Sequence, residues 1–231
     1  MRKLALFLGA ISLTMSILSQ ANTSLNEITS IVDEVKIGDQ VWMVKNLDVD
    51  TFRNGDSIMH SKTEEEWDEA DSNELPAWCY YKNDSKNGVN YGKLYNWHAV
   101  SDPRGLAPKG WHIPTDEEWT SLIFYLSDKE SEEVDIYGNE VGIKLKNKKG
   151  WKRDKPKRGS SRNKDYKGTN ESGFSALPGG SREDYLDYRG IGYHGSWWSI
   201  SQSYWGLSFN SPILYSEDEY WGFFSVRCIR D

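Results

Sequence analysis

Between residues 35 and 44 the apolar positions form two short clusters, Val35 and Ile37, then Val41-Trp42-Met43-Val44, separated by Gly38-Asp39. That spacing predicts a β-hairpin with a tight turn at the glycine. Residues 63–74 hold seven acids and no base around Trp67, which predicts a solvated loop or a short helix. Ala77-Trp78-Cys79-Tyr80-Tyr81 reads as a strand, and Asn87-Gly88 marks a turn after it. Over residues 91–100, Leu94, Trp97 and His98 fall at helical spacing and predict a short helix. A stronger helix follows Thr115. Thr115 and Glu118 form a capping box, Asp116 and Glu117 suit the positive end of the helix dipole, and Trp119, Leu122, Ile123 and Leu126 make one apolar face. Beyond about residue 140 the helical spacing fades. Strand-like pieces at 174–177, 195–200, 204–209 and 223–229 are separated by Gly, Pro and Asn. Two short helices in the N-terminal half followed by antiparallel strands predict an α+β fold whose termini lie close together.

The N-terminus reads differently. Arg2 and Lys3 precede an apolar run over residues 4–18, and Ser19-Gln20-Ala21 offers small residues at a cleavage site. This predicts a signal peptide over 1–21, a short linker over 22–33, and a single domain over 34–231. The run is too short and too rich in hydroxyls for a bilayer about 30 Å thick, and no cysteine follows it to carry a lipid. The expected location is therefore outside the cytoplasm (periplasmic, cell-surface or secreted), with no membrane span after cleavage.

Export changes the meaning of the two cysteines, Cys79 and Cys228. An even count in an oxidising compartment predicts one disulfide, which would tie the closing strand to an early one and contribute about 4–5 kcal/mol; two separate buried thiols are the competing reading. Charge is segregated. Loss of Arg2 and Lys3 leaves 26 bases against 35 acids, a net charge of −9, while residues 144–167 alone carry 12 bases and two acids. That basic loop, including Lys152, Arg153, Lys155, Lys157 and Arg158, is a candidate polyanion contact on an acidic body, with a solvated insertion between strands as the competing and favoured reading.

Several blocks carry a resemblance. They are Val35-Lys36-Ile37-Gly38-x-Gln40-Val41-Trp42-Met43-x-x-Asn46-Leu47, Tyr91-Gly92-x-Leu94-Tyr95-Asn96-Trp97-x-Ala99-Val100, and Leu106-Ala107-Pro108-x-Gly110-Trp111-His112-Ile113-Pro114-Thr115-x-x-Glu118-Trp119. Three more follow in order: Gly173-Phe174-x-Ala176-Leu177-Pro178-Gly179-Gly180-x-Arg182, Trp197-Trp198-Ser199, and Gly222-Phe223-x-Ser225-Val226-Arg227-Cys228. Together they resemble the Fibrobacter succinogenes major paralogous domain. The resemblance implies a C-type-lectin-like fold, the architecture also used by formylglycine-generating enzymes, but it implies no particular activity. An oxidase of that type needs two redox cysteines close together in the C-terminal half, where this chain has only Cys228.

No catalytic constellation stands out. His60, His98, His112 and His194 lack metal-ligand spacing, no Gly-x-Ser-x-Gly occurs, and the lectin calcium triplets are missing. No cofactor is expected. Loop acids Asp184, Asp187, Glu217 and Asp218 leave structural calcium open. The more suggestive residues are aromatic: Tyr185, Tyr188, Tyr193, Trp197, Trp198, Tyr204 and Trp205, whose flat faces suit sugars or protein surfaces. For Trp197 and Trp198 a core role is the competing reading. The expectation is a non-enzymatic exported module that binds glycan or protein, not nucleic acid. Alternatives are a polysaccharide-active enzyme using Glu183, Asp184 or Asp187, and a structural component of an exported assembly.

Overall fold

A computed structural model of the chain describes residues 32–127, 140–152, 166–183, 187–218 and 221–231. Within the compact unit Glu34–Asp231, the hairpin comes first: β1 (Glu34–Ile37) and β2 (Gln40–Met43), with Val35 opposite Trp42. Gly38 turns the chain with φ of 62°, a left-handed value that glycine takes at little cost. Next come β3 (Met59–His60), α1 (Glu64–Ser72), β4 (Ala77–Cys79), a 3-10 turn (Tyr81–Asn83), α2 (Ser85–Tyr91), β5 (Leu94–Tyr95) and α3 (Trp97–Val100). β6 (Trp111–His112), α4 (Asp116–Ser127) and α5 (Gly142–Leu145) complete the first part. The second is strand-rich: β7 (Ser181–Glu183), β8 (Asp187–Arg189), β9 (His194–Trp198), β10 (Ser203–Ser208), β11 (Leu214–Asp218) and β12 (Ile229–Arg230). The fold is α+β. Its sheets run β1-β2-β12-β6, β11-β10-β9, β3-β4-β5 and β7-β8; among the described strand pairs β3–β4 is parallel and the others are antiparallel. Among the described residues no helix is long and apolar enough to cross a membrane.

Local signals explain most of these elements. α1 starts on a capping box in which Thr63 Oγ1 accepts from the Glu66 N–H and Glu66 reaches back to Thr63. α4 repeats the device with Thr115 and Glu118. Its apolar face, Trp119, Leu122, Ile123 and Leu126, is buried. Trp119 sits among Trp42, Phe174 and Trp205, with ring centroids 4.8, 5.9 and 5.9 Å away. Truncating such a residue to alanine removes about 3–5 kcal/mol.

Several expectations need correction. Asn87-Gly88 lies inside α2 and is not a turn. Residues 91–100 do not form one helix, because β5 interrupts them and pairs with β4. Among the described residues there are five α-helices, where the sequence suggested two. Residues 174–177 make only one bridge, Ala176 with Lys146, and β7, β8 and β11 occupy a stretch expected to be mostly loop.

The disulfide is also corrected. Cys79 and Cys228 are free thiols, both buried. Cys79 packs in a cluster with Trp67, Ala70, Tyr81, Leu94 and Phe223, and Arg182 and Tyr188 bear on its sulfur. Cys228 lies outside that cluster, and Arg53 and Arg227 bear on it instead. Burial pushes the Cys79 thiol up to about 11 and the Cys228 thiol up to about 12, so neither is a ready thiolate.

The closing segment is held by its backbone. Phe223 bridges Arg182 of β7, Phe224 bridges Tyr95 of β5, and Ser225 bridges Trp197 of β9. The Leu47 and Met43 N–H groups then donate to Val226 O and Cys228 O, at 2.8 and 3.0 Å. Ile229 finally pairs with Trp42 on one side and His112 on the other. Residues 223–230 thus stitch all four sheets together, and an Arg230–Glu34 ion pair brings the two ends of the unit into contact.

Candidate functional site

Along β9 and β10 the side chains alternate between two faces, as strand geometry requires. Trp197 and Trp205, cross-strand partners, point into the main core with Trp119 and Phe174. Trp198 turns to the other side, 5.6 Å from Trp97 and 4.9 Å from Phe224, and its Nε1 donates to Tyr95 O at 2.7 Å. All three tryptophans are at most 3% exposed. They hold the scaffold and cannot present a flat face to a ligand. Indole area is the largest apolar surface the stretch contains, so it goes inside first.

What remains in the open is a cluster of tyrosines and acids. Tyr204 of β10 and Tyr215 of β11 are half-buried, with ring centroids 6.2 Å apart. Tyr204 stacks on Phe224 at 4.6 Å and donates to Glu217 Oε2 at 2.6 Å. Tyr215 lies across Gly206, its direct partner on β10. A Cβ there would fall 2.4 Å from the phenol ring, so only glycine leaves the ring its seat. Glu183 approaches from β7, where its carboxylate accepts from Ser181 Oγ at 2.5 Å and pairs with Arg189 at 3.7 Å.

The charges of Glu217 and Glu183 act on both phenols. Burial, the Glu217 hydrogen bond and these two anions push Tyr204 above the usual phenol range. Burial raises Tyr215 in the same direction. His194 joins the edge of the group: burial lowers its imidazole, and Glu183 pulls it back up. At ordinary pH the site therefore offers two neutral phenols between two carboxylates: aromatic faces with strong hydrogen-bond acceptors beside them.

The other candidates scatter. Tyr188 packs on Tyr81 at 5.2 Å, and burial beside Cys79 raises its hydroxyl, so it belongs to the interior around β4. Tyr193 stands against Phe209 at 5.1 Å with Lys152 Nζ 4.6 Å above its ring. Tyr185 and Asp184, and the bases Arg153, Lys155, Lys157 and Arg158, lie outside the described residues. Glu217 is committed to Tyr204, and Asp218 is exposed at the end of β11. Among the described residues no three His, Cys, Asp or Glu side chains converge to hold a metal. Tyr215 was missed by sequence reasoning. The signal for it was the Asn210-Ser211-Pro212 turn between two apolar stretches, which marks the β10–β11 hairpin.

The site rests on a polar hub formed by sequence-block residues. Asn46 Oδ1 accepts from Trp197 Nε1 at 2.8 Å and from Arg227 Nη2 at 2.6 Å, while Asn46 Nδ2 donates to Tyr91 O and Ser225 Oγ. The side chains of Asn46, Trp197, Ser225 and Arg227 thus meet at one point although the chain separates them by up to 181 positions. The model of the Fibrobacter succinogenes major domain matches residues 35–230. The chain belongs to that family. No curated protein and no solved structure matches it. In this Fibrobacter succinogenes major domain, the ordered blocks are hub, core and stitching residues, whereas Tyr215 and Glu217 lie outside them.

Proposed function

We propose that the protein is an exported, non-catalytic binding module of C-type-lectin-like architecture whose tyrosine–carboxylate face takes a glycan. The observation that carries this reading is the pairing of half-exposed Tyr204 and Tyr215 with the carboxylates of Glu183 and Glu217. Phenol faces stack on the apolar side of a sugar ring, and carboxylates accept from its hydroxyls. Glu217 and Glu183 already receive hydrogen bonds from Tyr204 and Ser181, which suits fixed acceptors better than a mobile acid and base. Anions at the face would repel nucleic acid and other polyanions. No cofactor is needed for such recognition.

Affinity electrophoresis or array binding against neutral and acidic polysaccharides tests the proposal. The native protein should be retarded by at least one glycan, and Tyr215→Ala and Glu217→Gln should each weaken that binding about tenfold or more. Binding that survives both substitutions, or a complete lack of glycan binding, overturns it. Release of reducing sugar ends, abolished by Glu183→Gln, would replace it with an enzymatic role.

A further inference from the structure

The basic run of the sequence divides in two within the fold. Residues 144–167 carry 12 bases and two acids, although the chain as a whole has a net charge of −7. Lys144 and Lys146 are committed to the scaffold. Lys144 Nζ donates to Leu126 O at 2.7 Å, and Lys146 is buried with its Nζ on Ser208 O and Ser211 O. Lys148, Lys149, Lys152 and Lys167 are exposed instead. In a chain with 35 acids, none of these four has a carboxylate partner among the described residues.

Local structure gathers them. Asn147 Oδ1 accepts from the Lys149 N–H at 3.0 Å, a side-chain turn that sets Lys148 and Lys149 at an exposed tip. The returning chain lies directly against the start of the run. A Cβ on Gly168 would fall 2.4 Å from Lys146 O and 2.6 Å from Asn147 O, and the Thr169 N–H donates to Ile143 O. Lys167 is one residue from that contact. Lys152 is held most firmly: its N–H donates to Gly192 O at 2.7 Å, and a Cβ on Gly192 would come 2.8 Å from its Cε. Its Nζ thereby stands 4.6 Å from the centre of the Tyr193 ring. A cation fixed in this way loses little side-chain freedom when it meets an anion.

Spread over residues 148, 149, 152 and 167, these ammonium groups suit a polymer of repeated negative charge better than one small anion. At 0.15 M salt the screening length is about 8 Å, so acids farther away on the body do little to cancel them. Single-stranded nucleic acid uses aromatic faces for stacking, but here Lys152 lies over Tyr193 and Lys146 over Trp151.

We infer that Lys148, Lys149, Lys152 and Lys167 form a docking patch for an acidic polysaccharide, pairing with its carboxylate or sulfate groups. The patch shares with the glycan reading only the proposed exported location, and it uses no residue of the tyrosine face.

The experiment measures binding of the full chain to polygalacturonate, to dextran sulfate and to duplex DNA over a series of salt concentrations. One variant replaces Lys148, Lys149, Lys152 and Lys167 together by Gln. A second replaces the exposed Lys62, Lys82, Lys86 and Lys109 by Gln, which changes the net charge equally but leaves the patch intact. The native protein should bind at least one of the two polysaccharides, and the one it binds names the anionic group. The patch variant should bind about tenfold or more weakly, with a flatter dependence on salt, while the second variant stays close to native. Both should keep the native melting temperature. Binding through the tyrosine face would survive the patch substitutions, so the two readings fail separately. No binding to either polysaccharide, a patch variant no weaker than the second variant, or tighter binding of duplex DNA at the same salt overturns the inference.

Discussion

Ile229 is the cross-strand partner of Trp42, so the last strand of the domain is held to the first hairpin by its own backbone. The same short segment reaches β7, β5 and β9 on its way there. A covalent tie between Cys79 and Cys228 would duplicate a connection that hydrogen bonds already make. Both thiols are fully buried among separate neighbours.

The first prediction concerns those thiols. In native protein at pH 8, Ellman's reagent should react with neither, and in denaturant it should report two. Reductant should leave the melting temperature unchanged. A protein recovered with no titratable thiols and a reductant-sensitive melt would refute the arrangement.

Asn46 offers the second. Its amide satisfies Trp197 and the guanidinium of Arg227, which is 1% exposed and whose charge is opposed by burial, down to about 9. Asn46→Ala removes these partners and strands a buried cation. The expected loss is about 3–5 kcal/mol in urea unfolding. Asn46→Asp should cost less, since a carboxylate can accept the Trp197 and Arg227 bonds and offset the charge, although it loses the donor to Tyr91 O.

How much of this was legible beforehand depends on the range of the interaction. The α4 helix could be read because Thr115, Glu118, Trp119 and Leu122 interact within two turns of one another. The β1–β2 hairpin could be read because Gly38 and its flanking apolar residues are adjacent. The role of residues 223–230 was only half legible: alternation suggested one strand, yet the segment makes single-residue bridges to sheets distant in sequence. The site suffered from the same difficulty. Trp197, Trp198 and Trp205 carry the chemistry of a sugar platform, but only the packing of α4 and the 223–225 segment reveals that the indoles on both faces of β9–β10 are covered. Tyr215 gave no strong signal because the seat of its ring depends on Gly206, a partner on another strand.

A third prediction tests the electrostatics of the face without any ligand. Tyr204 is held above the usual phenol range by burial first and by its bond to Glu217 next. Glu217→Gln removes one anion acting on Tyr204 and Tyr215, so part of the alkaline absorbance change of the tyrosines should move to lower pH. An unchanged titration curve would mean that Glu217 is not in contact with the phenols.

His112 links α4 to the closing strand. Its Nε2 meets Glu118 Oε1 at 2.9 Å and its Nδ1 meets Asp231 Oδ1 at 2.8 Å. Burial lowers its basicity, but the two carboxylates outweigh this and raise it above 6.5. A raised folded value means that the imidazolium stabilises the fold fully below about 6.5, and that this contribution disappears as pH rises through the folded value. The difference in unfolding free energy between native protein and His112→Gln should therefore be largest below about pH 6.5 and shrink as pH rises through the raised folded value.

Lys146 should show the opposite slope. It is fully buried, and its Nζ donates to Ser208 O at 2.5 Å and Ser211 O at 2.6 Å, with Trp151 at 5.1 Å and no carboxylate partner among the described residues. Burial lowers its pKa from 10.5 to about 8, so the unfolded chain binds the proton more tightly than the folded one. The charged form costs stability below pH 8, and that cost falls as pH rises from about 8 to 10.5. Relative to Lys146→Met, which has no charge to desolvate, the native protein should gain stability across that window when both are unfolded in urea. Because the methionine also takes the Lys146 donor away from both carbonyls and leaves that of Ser211 unpaired, it should be the less stable variant at pH 10, where the lysine is neutral in the fold. A flat difference between pH 8 and 10.5 would show that the two carbonyls keep Lys146 protonated and that burial does not control it.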